Sequence, residues 1–245
     1  MKIPLLTLLL SHMLISCQCP SSDDSCSDEA TAGEATAGEA TEMACSGERE
    51  WLTVPIRFHL LSSEIDLLNS SFSNADVERT LAESAVFWEQ ACVRFEIESI
   101  IADPVLDEQA QRFNERVMAG PMSGEYREIM SQVMPDQNML SPGWNVMIFK
   151  QFPAPASGIY ITEIKSVLWS EELPPQAPMR DNPPLILAHE MGHSFGLVHY
   201  EGPNPANNMM NAEVMQTRET AHSLTEEQIN KARQQIERGM PFEGP

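Results

Sequence analysis

Asn182-Pro183-Pro184-Leu185-Ile186-Leu187-Ala188-His189-Glu190-Met191-Gly192-His193-Ser194-Phe195-Gly196-Leu197-Val198-His199 is the stretch on which the fold turns. Asn182 is a helix-capping residue type, and Pro183 suits a first helical position, where a backbone N–H would go unpaired anyway. A helix is predicted to run on through Leu185 to Phe195. His189 and His193, four residues apart, then project from one helix face, one turn apart. Glu190 directly follows the first histidine, so its carboxylate lies beside an ion held by the two imidazoles without ligating it. Gly196 tolerates a left-handed backbone, which ends the helix, turns the chain back and brings His199 round as a third nitrogen. Three imidazoles can bind zinc at about 2.0–2.1 Å and leave a fourth position open, as catalytic sites do and closed structural sites do not. An HExxH string arises by chance in roughly one chain in a hundred, and fixing Gly196 and His199 cuts that by a factor on the order of several hundred.

Upstream, the strand and helix signals place this helix in a layered domain. Leu52, Val54, Ile56, Phe58 and Leu60 alternate with Thr53, Pro55, Arg57 and His59, the period of a half-buried strand. Pro55 cannot donate a backbone hydrogen bond, so its amide side should meet an edge or an irregularity. Asn74 is expected to cap a helix in which Val77, Leu81, Ala85, Trp88 and Cys92 share a face. Val93, Phe95 and Ile97 make a second strand, and Trp144 to Phe149 and Gly158 to Ile164 are two more. Residues 103–140 are Met-rich and read as partly helical, interrupted by Gly120-Pro121 and Pro135, with no functional reading of their own. Pro174-Pro175 and Pro178 mark a loop. Thr225-Glu226-Glu227-Gln228 is a capping box for a last helix ending near Arg238. The fold class expected is α/β, an α+β layered domain spanning residues 51–245.

The motif residues resemble the HExxHxxGxxH signature of the metzincins, a clan of zinc endopeptidases. The resemblance is carried by residues 189–199, and the element order of residues 51–238 is compatible with it. It implies a zincin domain with a small twisted mixed sheet, an active-site helix and a C-terminal helix. It also implies Zn2+ as cofactor, His189, His193 and His199 as metal ligands, and Glu190 as general base and acid. In the clan a methionine turn lies beneath the metal. Asn207-Asn208-Met209-Met210-Asn211 is the matching stretch, with Met210 aligned to the turn and Met209 as its neighbouring alternative. Tyr200 follows the third histidine where matrix metalloproteases usually have Ser and adamalysins Asp, and no tyrosine follows Met210, so no subfamily is assigned. The implied reaction is hydrolysis of internal peptide bonds in a protein or peptide substrate by a zinc-activated water. The strand Gly158-Ile159-Tyr160-Ile161-Thr162 is the candidate against which substrate would lie extended. Two other functions compete: a non-proteolytic surface lipoprotein using the zinc fold for binding, and a zinc hydrolase acting on something other than protein. Glu190 argues against the first, because a pure metal holder needs no base.

The N-terminus supplies the setting. Residues 1–17 read as a signal peptide with a lipobox: Lys2, an apolar run from Ile3 to Ile15, then Leu14-Ile15-Ser16-Cys17, similar to the site at which bacterial lipoproteins are cleaved and lipidated on cysteine. Cys17 is the expected lipidation site. Gln18 in place of Asp points, by the same resemblance, to an outer membrane or cell-surface location, with secretion as the other outcome. Residues 18–50 carry nine acids and one base, with Thr-Ala-Gly-Glu-Ala twice in tandem at 31–35 and 36–40. So little apolar surface cannot offset the entropy of ordering, and a disordered acidic linker is expected. Cys19, Cys26, Cys45 and Cys92 remain, and the exported setting permits disulfides without fixing their pairing. The formal charge of −21 argues against a nucleic-acid partner, which needs clustered Lys and Arg. The expected protein is a monomer held to a membrane through its N-terminal lipid.

Overall fold

The structure, a computed structural model, describes residues 49–118, 126–152, 156, 158–172, 182–211 and 223–244. The signal segment, Cys17, the linker to residue 48, Gly120-Pro121 and the Pro174–Pro178 loop lie outside them. Five strands form one sheet in the order β2-β1-β3-β5-β4, where β1 is Leu52–Ser62, β2 Val93–Pro104, β3 Trp144–Gln151, β4 Gly158–Ile161 and β5 Ser166–Glu172. Four strands run parallel, and β4 alone is antiparallel, on the edge beside β5. Mixed α/β architecture with a mixed sheet is therefore what the chain adopts.

Both faces of the sheet are covered. On one, Val54, Ile56, Phe58, Val146, Ile148 and Trp169 pack against α1 (Asn74–Ala85), α4 (Pro183–Ser194) and α5 (Glu226–Glu237). On the other, Leu61, Met147, Phe149, Ile159, Ile161 and Leu168 pack with residues of α2 (Asp107–Met118) and α3 (Tyr126–Val133), notably Phe113, Met130 and Val133. This corrects the expectation that β1 is half-buried: His59 and Leu61, on its second face, are as buried as Val54 and Ile56. Strands covered on both faces lose clean alternation. For the same reason β5 escaped notice, since Ser166 to Ser170 are all buried and show no period of two. The expected strand Gly158–Ile164 ends at Ile161 and is the first arm of a hairpin with β5. It turns at Thr162–Lys165, where Lys165 has φ +50° and its N–H meets the Thr162 carbonyl at 3.2 Å.

Two other expectations shift in detail. The cap of α1 is Ser73 rather than Asn74: its hydroxyl accepts from the Asp76 N–H while Asp76 accepts from the Ser73 N–H. The helix also does not run to Cys92, because residues 86–91 tighten into a 3₁₀ turn and Cys92 leaves in the left-handed region at φ 54°. Cys92 is disulfide-bonded, and its partner lies outside the described residues. Pro55 sits where an amide is dispensable, since pairing to β3 begins only at Ile56 and the register to β2 slips at Ile56/Arg57. Residues 49 and 50 are already tied to the domain: Arg49 pairs with Glu226, and Arg233 donates to the Glu50 carbonyl at 2.9 Å.

Candidate metal centre

Helix α4 is held from three sides before it presents any histidine. Its cap is as expected, with the Asn182 side chain accepting from the Leu185 N–H and Pro183 at the first position. The α1 hydroxyl of Ser84 donates to the Pro184 carbonyl at 2.9 Å, and Trp88 Nε1 donates to the Ala188 carbonyl at 3.2 Å. At the far end Phe195 is fully buried, with edge-to-face contacts to Trp88 and Trp144 at 4.9 and 5.6 Å between ring centroids. Such pairs add about 0.5–1.5 kcal/mol each beyond simple burial. The chain then turns at Gly196, φ +81°, whose N–H meets the His193 carbonyl. An added Cβ there would lie 3.2 Å from the Phe242 ring, so both backbone conformation and space favour glycine.

This turn brings His189, His193 and His199 together, with one nitrogen of each within 4.8 Å of the others. The imidazole Nδ1 atoms of His189 and His193 each face a backbone carbonyl at 2.8 Å, that of Met209 and of Leu197 respectively. A carbonyl only accepts, so each Nδ1 carries the proton and each Nε2 is a bare lone pair. Yet His193 Nε2 stands 3.1 Å from His189 Nε2 and 3.2 Å from His199 Nε2. Lone pairs aimed at one another repel unless a cation lies between them. Tetrahedral bonds of the zinc–imidazole length place ligand nitrogens about 3.3 Å apart. The donor set therefore fits a zinc-like ion, and carbonyls orienting metal-binding imidazoles from behind are the usual second layer of such sites.

Electrostatics point the same way. Burial, then the neighbouring His193, lowers the His189 pKa to about 3. Burial also holds His193 and His199 below the usual imidazole range. All three are thus neutral near pH 7, the state a metal requires. Glu190 is only 7% exposed, and burial raises its carboxyl to about 8. A hydrogen bond from the Tyr160 backbone amide and the positive charge of Arg127 pull the other way. A cation at the histidines would pull it down further.

The segment after His199 is laced under the helix. Met210 is fully buried, and a Cβ on Gly192 would lie 2.4 Å from its sulfur, so Met210 packs directly against the helix between the two histidines. Met209, its neighbour, contributes the carbonyl that orients His189. The Tyr200 N–H donates to the Met210 carbonyl at 2.8 Å, joining the segment of the third histidine to this turn. Asn208 fixes the turn from below: its Oδ1 accepts from the Met210 N–H and its amide exchanges hydrogen bonds with Gln228. Gln228 is read in the sequence as a helix cap, which it is, but its support of Asn208 has no local signature.

Edge strand β4 closes the other side of the centre. A Cβ on Gly158 would lie 2.7 Å from Glu190 Cγ and 2.9 Å from Ile186 Cγ2, so only a glycine lets α4 approach this closely. Gly158, the Tyr160 backbone and Arg127 are the site components that spacing in the sequence does not disclose. The Tyr160 hydroxyl, its pKa raised by burial, donates to the Phe242 carbonyl and ties the C-terminal tail to the sheet edge. Cys17 lies outside the described residues.

No protein-family model matches this sequence, and no curated protein matches it. Among solved structures, the chain is similar to one described as the structure of a chaperone–substrate complex, with TM-score 0.46 and 10% identity over 78% of this chain. The match spans about a third, 35%, of that chain's length. It is also similar to the archaemetzincin of Methanopyrus kandleri, with TM-score 0.41 and 11% identity over 78% of this chain and 99% of that one.

Proposed function

We propose that this chain is a zinc-dependent endopeptidase of the metzincin type, exported and held to a membrane by lipid at Cys17. One observation carries the enzymatic part. A buried carboxyl, Glu190, sits beside three converging imidazoles and against the edge strand of the sheet. A site built only to hold a metal has no use for a carboxylate desolvated in that position. His189, His193 and His199 would hold the zinc, with Met210 as the methionine of the supporting turn. A bound zinc supplies Lewis acidity, which lowers the pKa of a water by several units and polarises a carbonyl.

The chain's own residues do the rest. Glu190, whose carboxyl burial raises to about 8 and a cation at the histidines would lower, accepts a proton from the attacking water in its ionised form and returns it to the leaving amine. The Tyr160 amide keeps the carboxylate oriented through that exchange. Strand β4, on the edge of the sheet beside β5, could receive an extended peptide only where its outward backbone groups are not already engaged. The available stretch is shorter than Gly158–Thr162, because the strand ends at Ile161 and the outward groups of Tyr160 are engaged by Glu190 and Arg127.

The test is cleavage of an unbiased peptide library by the zinc-loaded protein, with and without chelator. Cleavage at internal bonds that chelator stops is expected. Glu190→Gln should keep one zinc per chain and lower kcat/KM by about 10²–10⁴-fold. Undiminished turnover in that variant would remove Glu190 from its role. Labelling with a radioactive fatty acid, lost in Cys17→Ala, tests the anchor.

A further inference from the structure

We infer that Arg127 is a specificity-determining residue, which binds a carboxylate of the substrate next to the scissile bond. The inference rests, for the reaction, on the peptidase reading above. Arg127 lies in the first turn of α3, a helix whose Met130 and Val133 pack on the sheet face opposite α4. Its guanidinium nevertheless reaches the sheet edge, where Nη2 donates to the Tyr160 carbonyl at 3.0 Å. The amide of that same residue holds Glu190. One strand position therefore ties the cation and the base together, and the Arg127 charge acts on both Glu190 and His193.

Among the described residues the Arg127 charge is felt by Glu163 and Glu190, but neither carboxylate lies in an ion pair with it. Arg57, Arg79, Arg112, Lys150 and Lys165 each have a carboxylate partner, whereas Arg127 has none within ion-pair distance among the described residues. It is exposed, in a chain of formal charge −21. A guanidinium carries five N–H donors in a planar fork, and the Tyr160 carbonyl occupies one. The others are matched to a carboxylate in two-pronged geometry. A neutral peptide has no use for them, and extended pairing at Tyr160 is already blocked by this same group. The chemistry that fits is a carboxylate, from an Asp or Glu side chain or from the C-terminus of a short peptide.

Matched fluorogenic peptides test this. They differ only by Glu against Gln at each position flanking the cleaved bond, and by a free-acid against an amidated C-terminus, so the two arms separate the carboxylate's sources. The zinc-loaded wild type is expected to favour one carboxylate form by about tenfold in kcat/KM. Arg127→Gln should erase that preference, lowering kcat/KM for the acidic peptide about tenfold more than for its neutral match. Arg127→Lys should retain part of it. Absence of any preference in the wild type, or equal losses on acidic and neutral peptides in Arg127→Gln, overturns the inference; equal losses would make Arg127 a brace for β4. Binding of the same peptides to zinc-loaded Glu190→Gln, by calorimetry, separates the two proposals. Discrimination in binding without cleavage by the wild type sinks the peptidase reading alone. Cleavage without discrimination sinks only the role of Arg127.

Discussion

His59 and His189 are almost equally buried, at 0% and 2% exposure, yet their surroundings leave them with opposite chemistry. His59, on β1, has both ring nitrogens occupied: Nδ1 lies 2.8 Å from Asp103 Oδ2 and Nε2 lies 3.0 Å from Asn145 Oδ1. The Leu140 backbone fixes the Asn145 amide, its N–H donating to Oδ1 and its carbonyl accepting from Nδ2, so His59 Nε2 must donate. Both nitrogens are thus spent within the protein. His189 spends only Nδ1, on a carbonyl, and points Nε2 at its neighbours. Burial of a histidine therefore says little by itself. What decides whether it is structural or metal-binding is whether its second nitrogen finds a protein partner.

The largest effect should come from deleting each histidine in turn. His189→Ala is expected to abolish stoichiometric zinc and all activity, as read by metal analysis of the purified protein. His59→Ala should keep one zinc per chain but lose about 3–5 kcal/mol of stability in denaturant unfolding, because Asp103 is left buried without its partner. Zinc loss on deleting His59 would erase the distinction between the clusters.

Next in size is the approach of β4 to Glu190. Gly158→Ala places a methyl 2.7 Å from Glu190 Cγ and should lower kcat/KM by about 10²-fold with zinc binding unchanged. Wild-type rates in that variant would show that Glu190 has room to move.

The metal-free protein should also lose stability on acidification. Burial lowers the His189 pKa to about 3 from the model-compound 6.5, so the unfolded chain takes up a proton before the folded one does. The stabilising contribution is intact above pH 6.5 and declines as the pH falls from there toward 3, aided by the depressed His193 and His199. Glu190, raised from 4.5 to about 8, works in the opposite direction over this range, so the scan is read in Glu190→Gln, where a thermal midpoint that does not drop between pH 7 and 5 would contradict the assigned burial. The same scan on His189→Gln should be flatter.

The smallest effect is expected at Asn208→Ala. It removes the brace of the turn beneath the helix and should weaken zinc about tenfold, with about 1–2 kcal/mol lost in unfolding. Competition with a chromogenic chelator measures the first.

What could be read in the sequence is what depends on short spacing. The helix from Pro183, its Asn182 cap, the four-residue step between His189 and His193 and the left-handed turn at Gly196 are all local, and each is found in the structure. Capping at Thr225 and Gln228 is local too. Strand β5 was illegible because burial on both faces removes the alternation that marks a strand. Arg127, Gly158 and Asn208 act across 63, 32 and 20 residues of separation from Glu190, Glu190 and Gln228 respectively, and no periodicity spans such gaps.

The turn beneath the helix also has a clasp. Met209 N–H meets the Ser223 carbonyl at 3.0 Å and Ser223 N–H meets the Asn207 carbonyl at 2.8 Å, so two positions fourteen residues apart are joined by main chain alone. A clasp of this kind is indifferent to the side chain at either position, and the segment that carries the Met209 carbonyl to His189 is therefore anchored independently of what residue 209 is.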